Sequence, residues 1–428
     1  MRSVAIVGTG IAGLSCAYWL REHANITIFE QNDYVGGHTN TIDVVEDGRA
    51  LPIDTGFMVY NETTYPHLTK LFKELGITSK NTDMSFSVQN KNLDLEWSGT
   101  GFNRLFGQRK NIANIRFWRM LLELDRFNKT GMQVMNDQSI RELSLEQFIE
   151  REKFSADMVN LYLLPMMSAL WSAPPLTMLQ FPASVLLRFM FTHGLLSMYG
   201  KLQWLTLEGG ARTYVQAMTK TFANQIQLNN KVTKVQRSPD GKLEVTCQNK
   251  SVTKFDLCIL ASHGDQSFEL LDESFTEERN LLRNFKYQRN KVLVHTDSSV
   301  MPKNKVNWAS WNYLIGDNKT APTTTHYWMN SLQGVSDKVD YFVSLNSDAL
   351  IDKSKIVREI NYEHPIFTVD AMHAQKQLPL LNREANRTLF LCGSYFSHGF
   401  HEDAIASSYE VVNLIHGGVH GKPDLLSV

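Results

Sequence analysis

Apolar positions along the chain fall into a few short continuous runs separated by long mixed stretches, and the order of these patterns is informative. Ser3–Val7 (Ser-Val-Ala-Ile-Val) is a continuous apolar run, the signature of a strand covered on both faces. Leu14 to Arg21 reads as a helix, and Asn25 to Glu30 as a second strand ending in an acid. A return follows at Leu207-Glu208-Gly209-Gly210-Ala211-Arg212 and a helix, with strands at Ile226–Leu228, Lys231–Arg237 and Lys242–Gln248 and a buried-type run from Phe255 to Ala261. A second return is Leu389 to Tyr395, read as a strand ending in glycine at Gly393, and it is followed by a helix ending at Ile415. Between the returns, Arg289–Thr296, Asn307–Ile315, Thr324–Leu332 and Tyr341–Leu345 are rich in aromatic and β-branched residues, which predicts an antiparallel meander. The chain therefore divides into a discontinuous α/β domain, 1–75, 205–265 and 385–428, and a mixed α+β domain, 76–204 and 266–384.

The first turn carries chemistry. Gly8-Thr9-Gly10-Ile11-Ala12-Gly13 lies between a strand and a helix, the context in which a G-x-G-x-x-G run acts mechanically. Gly8 permits the tight turn, Gly10 lets the backbone approach a pyrophosphate, and Gly13 lets the helix pack closely on the sheet. Phosphates then meet the unpaired N–H groups at the helix start, around Ile11 and Ala12. Glu30, followed by Gln31, ends the second strand, where a carboxylate can accept ribose hydroxyls. That fingerprint serves NAD and FAD alike. Gly36-Gly37-His38 and Asp54-Thr55-Gly56 come next, and a second glycine pair suits a long, extended cofactor such as FAD.

These motifs resemble the flavin-containing amine oxidase and phytoene-desaturase superfamily. The resemblance implies a Rossmann-like FAD-binding domain of the glutathione-reductase type, an antiparallel substrate domain, and FAD held non-covalently. It implies adenine contacts from the strand containing Val232, and a flavin-facing helix end after Gly393, around Glu402, Asp403 and Ala404, with Glu402 or Asp403 capping that helix. His38 stands where the family usually has arginine, and Ser394 where many members have an acid. Trp308 to Tyr313, Tyr327 to Asn330, His364 to Phe367 and Gly399 to Asp403 resemble the bacterial branch of predicted NAD/FAD-binding proteins associated with cyclopropane fatty-acid synthase.

Charge and cysteine content narrow the classes. Forty-three basic and 44 acidic side chains give a net charge of −1, so no global field attracts nucleic acid. Cys16, Cys247, Cys258 and Cys392 sit among apolar neighbours without Cys-x-x-Cys spacing, as reduced core thiols of a cytoplasmic protein do. No signal peptide and no run of about 18–20 apolar residues is expected to insert in a bilayer. Peripheral contact with the inner membrane face is a separate matter. Between Asn103 and Lys129 there are seven basic and two acidic residues, interleaved with Phe106, Phe117 and Trp118 and preceded by Phe102. Arg116, Arg119 and Arg126 share a helical face, which suits anionic headgroups or simply solvent.

Catalytic candidates are few. Lys291 resembles the lysine that holds a water near flavin N5 in amine oxidases, and His295 shares its strand face at even spacing. His193, His398 and His401 are alternative acid–base groups; no carboxylate or cysteine pattern completes a metal site with them. Met166-Met167, Trp171, Phe181, Phe189-Met190-Phe191 and Leu195-Leu196 suggest a wide apolar pocket. The expected activity is FAD-dependent oxidation or desaturation of a hydrophobic, lipid-like substrate such as a modified fatty-acyl chain, with a lipid methyltransferase as partner. Flavin amine oxidation and a flavin-bearing accessory subunit remain alternatives.

Overall fold

Ser3–Val7 forms the middle strand of a five-stranded parallel sheet in the computed structural model, which describes residues 1–134, 137–196, 202–316, 318, 320 and 323–417. Asn25–Phe29 lies on one side of it and Leu257–Leu260 on the other. Ile226–Gln227 and Leu389–Leu391 form the two edges. Counted along the chain the strands lie in the order 3-2-1-4-5, the doubly wound arrangement. The order reverses between Ser3–Val7 and Leu257–Leu260, and the crevice beyond their carboxyl ends is where such sheets take ligands.

Both faces of this sheet are covered, which is why its strands are apolar on both sides. The helix Ile11–Leu20 packs on one face, under Arg212–Thr219 and His401–Ile415. On the other face lie a three-stranded antiparallel sheet (Val232–Arg237, Leu243–Cys247, Val252–Phe255) and the helix Val369–Asn382. That helix belongs to segment 266–384, yet its Ala371 and Leu378 pack in one cluster with Ala5 and Leu260 of the parallel sheet.

The second sheet has seven strands, in the order Ile356–Ile366, Lys286–His295, Phe342–Leu345, Thr325–Trp328, Trp311–Ile315, Phe86–Asn90, Leu95–Ser98. Three of the four expected runs form a meander. Lys286–His295 instead joins beyond Phe342–Leu345, because Ile356–Ile366 pairs along its whole length. Helices from Ile115–Val134 to Ala183–Thr192 pack on Phe86, Val88 and Tyr313 at the other end of the sheet. Among the described residues no helix is long and apolar enough to cross a membrane, and all four cysteines are buried.

Asp54 joins the parts. Its buried carboxylate accepts from Ala211 N at 2.9 Å, Gln333 Nε2 at 2.6 Å and Thr41 Oγ1. Burial pushes its pKa up to about 6 despite these donors.

The turn after Ser3–Val7 tolerates no side chain at Gly13. A Cβ there would lie 1.9 Å from the Gly8 carbonyl oxygen. Gly13→Ala is expected to lift the helix Ile11–Leu20 off the sheet and to cost about 1–3 kcal/mol. A urea unfolding midpoint equal to that of the wild type would contradict this packing.

Candidate active site

Beyond the carboxyl ends of the parallel strands the chain encloses a cavity of about 1120 Å³. Gly8, Thr9, Gly10, Ile11 and Ala12 line one end of it, at the amino terminus of Ile11–Leu20. No side chain caps that helix, so its first N–H groups stay available to an anion. The second glycine pair rests directly on this turn: a Cβ on Gly37 would lie 3.2 Å from Gly10 Cα, and Gly36 N donates to Thr9 O at 3.1 Å.

Glu30 is held by four donors. Thr9 N and Thr9 Oγ1 reach Oε2 at 3.0 and 2.5 Å, while Asn32 N and Nδ2 reach Oε1 at 2.9 and 2.8 Å. The two side-chain donors are the ones a ribose diol can replace. Gln31 and Val232 line the same cavity.

His38 lines the cavity beside a group of aromatic residues. Its ring stacks on Tyr362 with centroids 4.8 Å apart, and His364 and His263 lie at 5.3 and 5.9 Å. Burial, reinforced by the neighbouring histidines, holds its pKa well below the usual imidazole value, so the ring is neutral at pH 7. Nε2 has no hydrogen-bond partner among the described residues. Thr55 and Gly56 line the cavity next to it, with Thr55 Oγ1 2.7 Å from Tyr362 Oη.

The carboxy-terminal return supplies Gly393, Gly399, Phe400, His401 and Ala404 to the wall. The two acids at this helix end each cap a helix, Asp403 its own, as expected, and Glu402 another. Asp403 accepts from Phe400 N at 2.8 Å and so caps its own helix, His401–Ile415. Glu402 turns away and accepts from His67 N at 2.9 Å and Leu68 N at 3.1 Å, capping the helix Pro66–Leu75. Neither lines the cavity, and Gly13 lies beneath it as a packing residue. The other expected cofactor residues all border one cavity.

Lys291 and His295 do share a strand face, but it is the wrong one. Val292, between them, lines the cavity. Lys291 Nζ pairs with Glu359 at 3.1 Å, and His295 is fully buried beneath the sheet, with Nε2 2.7 Å from Ser344 Oγ. Both are structural in this arrangement.

The opposite wall is apolar. Met166, Leu170, Trp171, Phe189 and Leu195 come from the helical layer, and Phe86, Trp311 and Tyr327 from the large sheet. A π-helical turn, Val159–Leu163, precedes the lining helix Leu164–Trp171, a distortion that often marks functional segments. Trp171 Nε1 donates to His398 O at 3.1 Å, which ties this wall to the Gly399 turn.

Three histidines reach this end. His401 is stacked on Phe57 and engaged with Thr39 Oγ1 at 3.0 Å. His398 Nδ1 lies 2.8 Å from Ser397 Oγ. His193 differs: its Nδ1 lies 2.9 Å from the Phe189 carbonyl, which can only accept, so Nδ1 carries the proton and Nε2 the lone pair. Tyr362 and His263 are not marked by any motif in the sequence, and His364 is marked only as the start of the stretch His364 to Phe367. The period of two that puts Tyr362 and His364 on one strand face was the available signal.

A doubly wound sheet with this glycine cradle, an acid after the second strand and an unpartnered imidazole nitrogen fits a flavin dinucleotide, and defines an FAD-dependent oxidoreductase. The family model for flavin containing amine oxidoreductases matches residues 11–416, and the chain belongs to that family. Among solved structures it is similar to cyclohexylamine oxidase from Brevibacterium oxydans IH-35A, at 14% identity and TM-score 0.69 over 97% of this chain and 98% of that one. A redesigned putrescine oxidase gives 16% identity and TM-score 0.67 with coverage of 97% and 98%. A CLA-producing fatty acid isomerase from P. acnes gives 14% and 0.67 with coverage of 96% and 98%. At such identities the likeness is one of fold. No curated protein matches the chain.

Glu30→Ala removes the acceptor that orders Thr9 and Asn32. Titration of the apoprotein with FAD, followed by flavin fluorescence, is expected to show affinity reduced about 10-fold or more. An unchanged dissociation constant would take Glu30 out of the cofactor site.

Proposed function

We propose that this flavoenzyme oxidises a hydrophobic, lipid-like substrate such as a modified fatty-acyl chain, the bound FAD supplying the hydride acceptor at N5. The observation that carries this reading is the chemistry of the cavity wall. Among the described residues its carboxylates are Glu30, Glu269 and Glu363. Glu30 is taken up by Thr9 and Asn32, and Glu363 pairs with Arg289 at 3.3 Å and His263 at 3.7 Å. The wall built from Met166, Trp171, Phe189 and Trp311 offers no counter-charge to an ammonium ion, whose desolvation there would cost several kcal/mol. A hydrocarbon chain pays no such penalty.

His193 is the group suited to take a substrate proton. Burial lowers its pKa to about 4, so it is neutral at pH 7, and its fixed tautomer leaves Nε2 as the acceptor. Stacking on Phe189, with centroids 3.9 Å apart, holds the ring in register with the wall. A lipid methyltransferase that modifies the same chains is the partner this reading favours. Amine oxidation is the second reading, favoured by the family and by the fold shared with two amine oxidases. The fatty acid isomerase of the same fold favours the first.

Anaerobic mixing separates the two readings. Long-chain acyl lipids are expected to bleach the flavin absorbance, and putrescine or cyclohexylamine to leave it unchanged. Bleaching by the amines alone would overturn the lipid reading. With a bleaching substrate in hand, His193→Gln is expected to lower kcat about 100-fold with little change in KM. Wild-type turnover should fall as pH drops through about 4, where His193 becomes protonated, and the variant should lose that limb. A variant with wild-type rate and profile would assign the proton to another group.

A further inference from the structure

Residues 102–119 contain five basic side chains and no acidic one, in a chain whose net charge is −1. The same stretch exposes large apolar groups. Phe102 is 70% exposed, Ile112 51%, Ile115 69% and Trp118 40%, with Leu122 at 71% on the same helix. They form one continuous surface. The Phe106 ring bridges Phe102 and Trp118, at 4.7 and 5.0 Å between centroids, and Trp118 Nε1 donates to the Ile112 carbonyl at 2.9 Å. Ile115, Trp118 and Leu122 follow at spacings of three and four along Ile115–Val134, on one side of that helix.

Arg109, Lys110, Arg116 and Arg119 are exposed around this surface. Arg116 grips Asp157 through two nitrogens and Lys110 pairs with Asp94. Arg119 has no ion pair among the described residues. Water covers these apolar groups at a cost, and nothing in the reaction requires them there.

We propose that this patch docks the protein on a membrane surface containing anionic phospholipid, the apolar side chains entering the interface and the basic ones meeting the headgroups. Charge decides the occupant. Arg104 is also near Asp83, at 3.8 Å, so Arg109 and Arg119 are the basic groups without a carboxylate partner among the described residues. A second copy placed face to face would oppose them with the same two, whereas an anionic bilayer complements them and accepts the aromatic and aliphatic side chains between. Ile115–Val134 also packs on Ala183–Thr192, with Gly131 against Leu187, so docking would orient the helical layer that carries the cavity's apolar wall. The inference rests on the surface alone and stands whether the substrate is a lipid or an amine.

Sedimentation of the FAD-loaded protein with vesicles tests it. Binding is expected to vesicles of phosphatidylcholine with phosphatidylglycerol, to weaken at high salt, and to be absent with phosphatidylcholine alone. Arg109→Glu with Arg119→Glu, and separately Trp118→Ser with Leu122→Ser, should each lower the bound fraction about 10-fold while the flavin spectrum stays that of the wild type. Lys234→Glu, on the three-stranded sheet, should bind as the wild type does. Equal binding to both vesicles, no binding to either, or self-association abolished by the same substitutions would each overturn the proposal. So would capture of an acidic protein by the patch with no affinity for vesicles.

Discussion

The contact between the Gly8 carbonyl and Gly13 sets the geometry on which the cofactor end depends. With no Cβ between them, Ile11–Leu20 descends onto the strand Ser3–Val7 and its amino terminus opens at the point where the strand order reverses. Other segments are then placed by contact with that turn. Glu30 is fastened to Thr9, Gly36 N to Thr9 O, and Gly37 lies against Gly10. On the far side Ser408 Oγ donates to Ala12 O at 2.9 Å, so His401–Ile415 takes its position from the same helix. One close approach thus brings two helix amino termini to one cavity, of which the start of Ile11–Leu20 is uncapped and open to an anionic group.

Asp54 ties together segments far apart in the chain, and its burial has an electrostatic cost. Its folded pKa, about 6, lies above the ordinary 3.8, because burial penalises the carboxylate more than Thr41, Ala211 and Gln333 reward it. The sign follows: what this group contributes to stability is fully present below the unfolded value and is lost as pH rises through about 6. An ionised group in such surroundings persists because of what it orients. Through Ala211 N it fixes the start of Arg212–Thr219, and through Gln333 it reaches the layer beside the large sheet. Removing either donor would leave part of the carboxylate unpaired in the interior, a larger loss than the hydrogen bond itself.

The strand, turn, helix and acid from Val4 to Glu30 were legible in the sequence because each requirement there is local. A glycine needed for close approach and an acid ending a strand mark themselves. Lys291 and His295 were misplaced for the opposite reason. Their even spacing was read correctly, but which strand face meets the cavity is decided by Phe342–Leu345 and Ile356–Ile366, and Val292 is the residue turned inward. Ile356–Ile366 itself was missed, since an edge strand half open to solvent carries Arg358, Glu359 and Glu363 and lacks an apolar run. Glu402 looked like part of the cofactor helix end. It caps a helix that begins more than three hundred residues earlier, a relation no local pattern encodes.

The two ends of the cavity treat charge in opposite ways, and that contrast bears on the chemistry. The cofactor end gathers helix termini and free N–H groups, which an anionic dinucleotide satisfies. The other end is walled by methionine and aromatic side chains, and His193 there is neutral because the same burial that excludes water disfavours the imidazolium. A neutral base in a dry pocket is poorly suited to holding a cation but well suited to receiving a proton as a hydride departs. The Trp171 to His398 hydrogen bond couples that wall to the Gly399 turn, so the apolar surface and the start of His401–Ile415 keep a fixed relation. A rigid relation between the two ends matters because hydride transfer requires the reacting atoms to be held close and aligned.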